Sequence, residues 1–239
     1  MLIKTKAIVL SKIKYRDHDL IVKCFTSHRG AVSYLVRGAL RSGKKTSKTA
    51  YFQLLTQLEI EENFKQHQSL QSIKEIKLNY YYTSLHTNVL KSSIVIFLSE
   101  VLNSVLKEEE QNEQLYSYLE TTFQWLDIKD QFANFHLLFL LNLTKHLGFY
   151  PDTTNIDFDH FNLNKGAFED HKSDLYSIKG ENLVILKQLL GTNFDGLEQI
   201  KLTSMQRQSF LAMLLLYFEL HLGSFRKPKS LQVFNQVFS

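Results

Sequence analysis

Between residues 52 and 61 the chain alternates, with Phe52, Leu54, Thr56, Leu58 and Ile60 interleaved by Gln53, Leu55, Gln57, Glu59 and Glu61. A period near two sends successive side chains to opposite faces, so this stretch predicts a strand with one face buried. Leu20 to Thr26 and Ala31 to Arg37 are rich in Val, Ile, Phe and Tyr, separated by Ser27-His28-Arg29-Gly30. Glycine in so short a connection supplies positive φ, and the pair reads as a β-hairpin. Ile3 to Ser11 precedes it, and a weaker candidate spans Leu70 to Leu78. Five strands within the first 80 residues match a small barrel such as an OB-fold.

After Tyr80 the period becomes helical. Ile94, Phe97, Leu98, Val101, Leu102, Val105 and Leu106 recur at steps of three and four, an apolar stripe running to the acidic stretch Glu108 to Glu110. A second helix starts at Asn112 and carries Leu115, Tyr118, Leu119 and Leu126. A third has Asp130 before it, Gly148 after it and Pro151 beyond. The last long helix opens on Thr203-Ser-Met-Gln206, the spacing of a capping box, and stops near Gly223 ahead of Pro228. Between Phe149 and Lys179 polar and acidic residues dominate without a period, which reads as an irregular insertion. The expected fold class is therefore α+β: a five-stranded OB-fold barrel over 1–80, then a mainly α-helical domain over 81–239 with the insertion at about 149–179.

Composition narrows the function. With 44% hydrophobic and 22% charged residues, the 239-residue chain is an ordinary globular one. Its single cysteine, Cys24, leaves no partner for an internal disulfide or a CxxC zinc pair, and a reducing compartment is expected. Met-Leu-Ile-Lys-Thr-Lys does not read as a secretory leader, and the apolar runs Phe135 to Leu141 and Phe210 to Phe218 fall short of the roughly 20 residues that cross a bilayer. The net charge of +4 is unevenly placed: residues 1–80 hold 15 Lys and Arg against 6 Asp and Glu, +9, and the remainder holds 13 against 18, −5. Such a split is expected when one half meets a polyanion.

The densest basic run, Arg37 to Lys48, carries five positive charges, two glycines and no acid. Between two strands it makes a basic loop whose Arg37, Arg41, Lys44, Lys45 and Lys48 can neutralise phosphates and release counterions. Lys12, Lys14, Arg16 and Arg29 add charge, and Tyr15, Tyr34 and Tyr51 offer rings for unpaired bases, although strand aromatics are more often core. Gly43-Lys44 lacks the upstream glycine of a phosphate-binding loop, so ATP chemistry is not expected. Asp152, Asp157, Asp159, His160, Asp170 and His171 crowd into the irregular segment, but their spacing fits no metal motif and favours a solvated loop. Cys24 reads as a small buried hydrophobe, and His136, His146 and His221 as interior or boundary residues among leucines. No nucleophile and base pair stands out, so neither an enzyme nor a catalytic residue is expected.

Thr5-Lys-Ala-Ile-Val-Leu10, Tyr15-Arg-Asp-His-Asp-Leu-Ile-Val22, the turn His28-Arg-Gly30 and Val36-Arg-Gly-Ala39, with the closing segment Leu220 to Leu231, together resemble the RecO family of bacterial recombination mediators. The resemblance implies an OB-fold followed by a helical domain. It implies binding of single- and double-stranded DNA, annealing of complementary strands, and, with RecR, loading of RecA onto single strands coated by the single-strand binding protein SSB. It places Arg16, Arg29, Arg37 and Arg41 among the family's basic positions, puts Arg207 opposite the acidic SSB tail, and implies a cytoplasmic, nucleoid-associated protein with no membrane partner. Many members hold a four-cysteine zinc module after a stretch like Leu147-Gly-Phe-Tyr-Pro151. This chain has no cysteine there, so no metal or cofactor is expected, and Phe161 to Phe168 reads as a metal-free remnant. Two other readings are a general single-stranded DNA or RNA binder with a helical oligomerisation domain, and a metal-dependent hydrolase built on the Asp/His segment.

Overall fold

The computed structural model describes residues 1–41, 48–106, 108 and 110–238, without the side chain of Lys48. Five strands, β1 (Leu2–Tyr15), β2 (Asp19–Thr26), β3 (Gly30–Val36), β4 (Gln57–Asn63) and β5 (Leu70–Leu78), close into a barrel of order β1-β2-β3-β5-β4. All neighbours are antiparallel except β3 and β5, which run parallel. This is the expected OB-like barrel. It closes around Val9, Val22, Cys24, Val32 and Ile60, β-branched or small residues that suit a pleated, crowded interior, together with Leu58. Burial pushes the Cys24 thiol well up, so it stays a neutral apolar group.

Two boundaries differ from the sequence reading. The strand expected over 52–61 begins only at Gln57, because Lys48–Phe52 forms a turn of 3-10 helix and Leu55 adopts a left-handed φ of 60°. In addition β1 runs on to Tyr15, past a bulge between Val9 and Ser11 that interrupts the alternation.

Two helices belong to the same compact unit, which comprises residues 1–128 with 228–230. In α1 (Val89–Val105) the stripe Ile94, Phe97, Leu98, Val101 and Leu102 is buried, and the Asn88 side chain caps the amides of Leu90 and Lys91. In α2 (Glu113–Ile128) Leu115, Leu119, Phe123 and Leu126 are buried. Polar bonds link α2 to the barrel: Gln57 Nε2 donates to the Glu120 carbonyl at 2.7 Å, and Lys6 Nζ meets Glu120 Oε1 at 3.0 Å. Asp127, 2% exposed, accepts backbone N–H bonds from Thr83, Ser84 and Leu85, fixing the connection from the barrel to α1.

The second unit comprises 129–227 with 231–239. Its helices are α3 (Phe135–His146), α4 (Glu181–Leu190), α5 (Ser204–His221) and α6 (Leu231–Val237). The capping box at Thr203 and Gln206 is formed. The segment read as irregular contains a three-stranded sheet, β6 (His160–Asn162), β7 (Ala167–Glu169) and β8 (Ser177–Ile178). Strands of two or three residues are too short to show a period. Glu169 knits them together, accepting from Lys165 Nζ at 2.8 Å, Ser173 Oγ at 2.7 Å and Ser177 Oγ at 3.0 Å. Among the described residues no helix is long and apolar enough to cross a membrane.

Candidate nucleic-acid interface

The turn joining β1 to β2 and the chain leaving β3 are tied together. Gly38 N donates to Asp19 Oδ1 at 2.8 Å and Leu40 N to the His18 carbonyl at 2.9 Å. Leu20 lies opposite Val36 in the register, so both segments leave the barrel at the same end. Gly38 makes its turn at a φ of 63°, open to glycine at no steric cost. Arg16, at a left-handed φ of 53°, lays its guanidinium 5.2 Å from the centre of the Tyr15 ring.

These ties bring Arg16, Arg37 and Arg41 to one end of the barrel, with Lys12 and Lys14 on the β1 arm that leads there. All five are exposed. Among the described residues none of them is ion-paired with a carboxylate. Three other lysines of the barrel each meet a carboxylate. Lys74 meets Glu61 at 2.7 Å, Lys77 meets Glu75 at 3.3 Å and Lys6 meets Glu120 at 3.0 Å. Five unpaired cations thus gather at one end of the barrel, while Lys4, Lys23 and Lys65 also have no carboxylate partner among the described residues.

Arg29 stands apart from its fellow candidates. Its Nη1 meets Glu62 Oε1 at 2.9 Å, Glu62 being 1% exposed, and its guanidinium lies 4.1 Å from the Phe64 ring centre. A buried carboxylate needs such a partner, and Arg29 is tied into the barrel. Lys44 and Lys45 fall outside the described residues, as does the side chain of Lys48. Tyr34 is wholly buried in the barrel core, Tyr51 packs on that core, and Tyr15 is half-buried beneath Arg16.

Sequence reading missed Lys65 and Ile13. Lys65 is exposed without a carboxylate partner among the described residues, on a loop whose backbone is gripped by buried Gln71. Ile13 is 58% exposed, an apolar side chain on the basic arm. Neither position carries a signal in the sequence, since one lysine and one isoleucine are unexceptional until the register places them.

In the second unit Arg207 is half-buried and donates from Nη1 to the Leu202 carbonyl at 2.7 Å. Beside it His136 is 1% exposed, and burial, reinforced by the Arg207 charge, lowers its imidazole to about 3. His221 is satisfied by the Leu163 carbonyl at 2.8 Å and stacks on Phe149. The Asp/His segment is dispersed: Asp152 caps Thr154, His160 opens β6, and Asp170 and His171 pair with each other at the surface. Among the described residues no three His, Cys, Asp or Glu side chains converge as metal ligands do.

Residues 1–82 match the profile described as Recombination protein O N terminal, and residues 86–232 the one described as Recombination protein O C terminal. The chain belongs to the RecO family. It is 50% identical over 238 residues to the DNA repair protein RecO of Christiangramia forsetii, 46% identical over 239 residues to that of Flavobacterium psychrophilum and 36% identical over 242 residues to that of Bacteroides fragilis. Each alignment covers 100% of both chains. The RecO family is one of DNA repair and recombination.

Proposed function

We propose that this RecO-family chain is a recombination mediator that makes and breaks no covalent bond. It captures single- and double-stranded DNA on Lys12, Lys14, Arg16, Arg37 and Arg41, with Lys44, Lys45 and Lys48 of the same basic run, and anneals complementary strands. With RecR it helps RecA replace SSB. The observation that carries this reading is the gathering of five exposed cations at one end of the barrel, none of them ion-paired with a carboxylate among the described residues.

Two single strands repel one another as polyanions, and the barrier falls when fixed cations screen both. Each phosphate bound by an arginine or lysine releases condensed counterions, a gain that needs neither nucleotide nor metal. Arg29 holds the barrel rather than the DNA in this account. Arg207 meets the acidic tail of SSB: a half-buried guanidinium keeps fewer hydrogen bonds to water and pairs more strongly with a carboxylate than an exposed one.

Annealing of fluorescently labelled complementary oligonucleotides tests the proposal. The protein accelerates pairing at low salt without nucleotide, and co-elutes with RecR. Unchanged pairing at low salt overturns the mediator reading. Binding without annealing, with SSB-coated strands left inert, leaves only a general single-strand binder.

A further inference from the structure

Parallel β3 and β5 pair at only two positions, Ser33 with Leu70 and Tyr34 with Gln71. Beyond them the barrel wall parts into a cleft of about 360 Å³, within the range of about 300–1,000 Å³ that holds small ligands. Its walls include Val36, Phe52, Ile73 and Ile76. Arg37, Lys65 and Lys74 also line it, and none of its described lining residues is acidic. Lys74 is engaged by Glu61, which leaves Arg37 and Lys65 with free charge.

The loop that carries Lys65 is prearranged. Gln71, 3% exposed, accepts from Lys65 N at 2.9 Å and donates to the carbonyls of Lys65 at 3.0 Å and Gln68 at 2.6 Å. A buried amide satisfied three times by one loop fixes that loop before any ligand arrives.

We propose that this cleft takes one unstacked base of a single-stranded nucleic acid, with the adjoining phosphates on Arg37 and Lys65. A cleft with both apolar and polar walls and cationic groups beside it suits a nucleotide, whose base is flat with polar edges and whose backbone is anionic. A base paired in duplex stays in its stack and does not enter, so the cleft favours single strands over duplex. The inference rests on the proposed DNA binding and adds to it: Arg37 belongs to the cationic end, and the cleft extends that surface from phosphate to base.

Full-length protein is titrated with a thymidine oligonucleotide and with an abasic sugar-phosphate chain of equal length and charge. The expected result is tighter binding of the thymidine strand, by no more than the roughly five- to a hundredfold that stacking of one base on an aromatic side chain contributes. Ser72→Trp, which fills the cleft from an exposed lining position, brings the two affinities together without changing the salt slope. Lys65→Ala keeps the preference for thymidine and lowers the slope. Equal affinities in the unaltered protein overturn the cleft while leaving electrostatic DNA binding intact. Binding of neither strand overturns the proposed function itself. If Ser72→Trp leaves the thymidine preference in place but abolishes binding of an Asp- and Glu-rich peptide, the cleft is a peptide site and the proposal fails.

Discussion

Asp19 accepts the backbone N–H of Gly38 at 2.8 Å. That bond closes the β1–β2 turn onto the chain leaving β3 and puts a carboxylate at the base of the most cationic part of the barrel, where it organises the arginines around it without pairing with them. Asp19→Ala removes the acceptor, at a cost of about 1 kcal/mol, and lets Arg37 and Arg41 separate from Arg16. DNA affinity falls even though a negative charge has been lost. Asp19→Asn keeps an acceptor oxygen and binds DNA at least as tightly as the unaltered protein. Oligonucleotide titrations at one fixed salt concentration distinguish the pair.

Gly30 turns the β2–β3 hairpin at a φ of 65°, and a Cβ built on it would lie 2.4 Å from the Glu110 carbonyl oxygen. Gly30→Ala meets backbone on one side and an unfavourable φ on the other, so the first unit loses about 2–4 kcal/mol. Urea unfolding followed by circular dichroism measures it. Gly180→Ala has open space around it, but its φ of 70° with ψ of −138° is a conformation that essentially only glycine adopts, so the backbone strain alone costs about 1–3 kcal/mol.

Asp127 is buried, and burial alone would raise its carboxyl; the N–H bonds of Thr83, Ser84 and Leu85 outweigh this and hold it below the usual carboxylate range. Lys91 donates to the carbonyl of the same residue at 2.8 Å. A carboxyl with its folded value depressed contributes stability above its unfolded value, and the contribution disappears as pH falls through the folded one. Asp127→Ala destabilises the protein by about 2–4 kcal/mol near neutral pH, with the difference from the unaltered protein shrinking in strong acid. Denaturant midpoints measured from neutral to acid pH follow the change.

His136 titrates at about 3 when folded, against an ordinary 6.5. The unfolded chain therefore binds a proton between those values that the folded chain refuses, and stability drops as pH falls from about 6.5 towards 3. His136→Phe, packed against the Phe234 and Phe238 rings, flattens that part of the pH profile. An equally steep profile in the variant would assign the loss to other groups.

Much of this architecture was legible because its periods are long. β5 falls on the expected 70–78, and the capping box at Thr203 marks the start of α5 to within a residue. The missed elements lack such signals. α4 follows Gly180, which offers no capping side chain, and α6 is seven residues long. In β1 the bulge after Val9 hides the continuation to Tyr15. For the candidate site, composition located the basic half of the chain but not which cations stay free. Arg29 and Glu62 are 33 residues apart and meet only through the barrel's register, as do Lys74 and Glu61. Charge pairing across strands is a property of the fold, and the sequence alone does not separate Arg29 from Arg37.

The proposed DNA contact is made by the set of unneutralised cations at one end of the barrel. Its most direct test is the salt dependence of single-stranded oligonucleotide binding in two multiple variants. Replacing Lys12, Lys14, Arg16, Arg37 and Arg41 with Ala lowers the slope of log affinity against log salt by about 0.7 for every phosphate that the variant no longer neutralises. Replacing Lys6, Lys74 and Lys77, whose charges are already matched by Glu120, Glu61 and Glu75, leaves the slope nearly unchanged. Equal slopes for the two variants, or a larger drop in the second, would contradict the account.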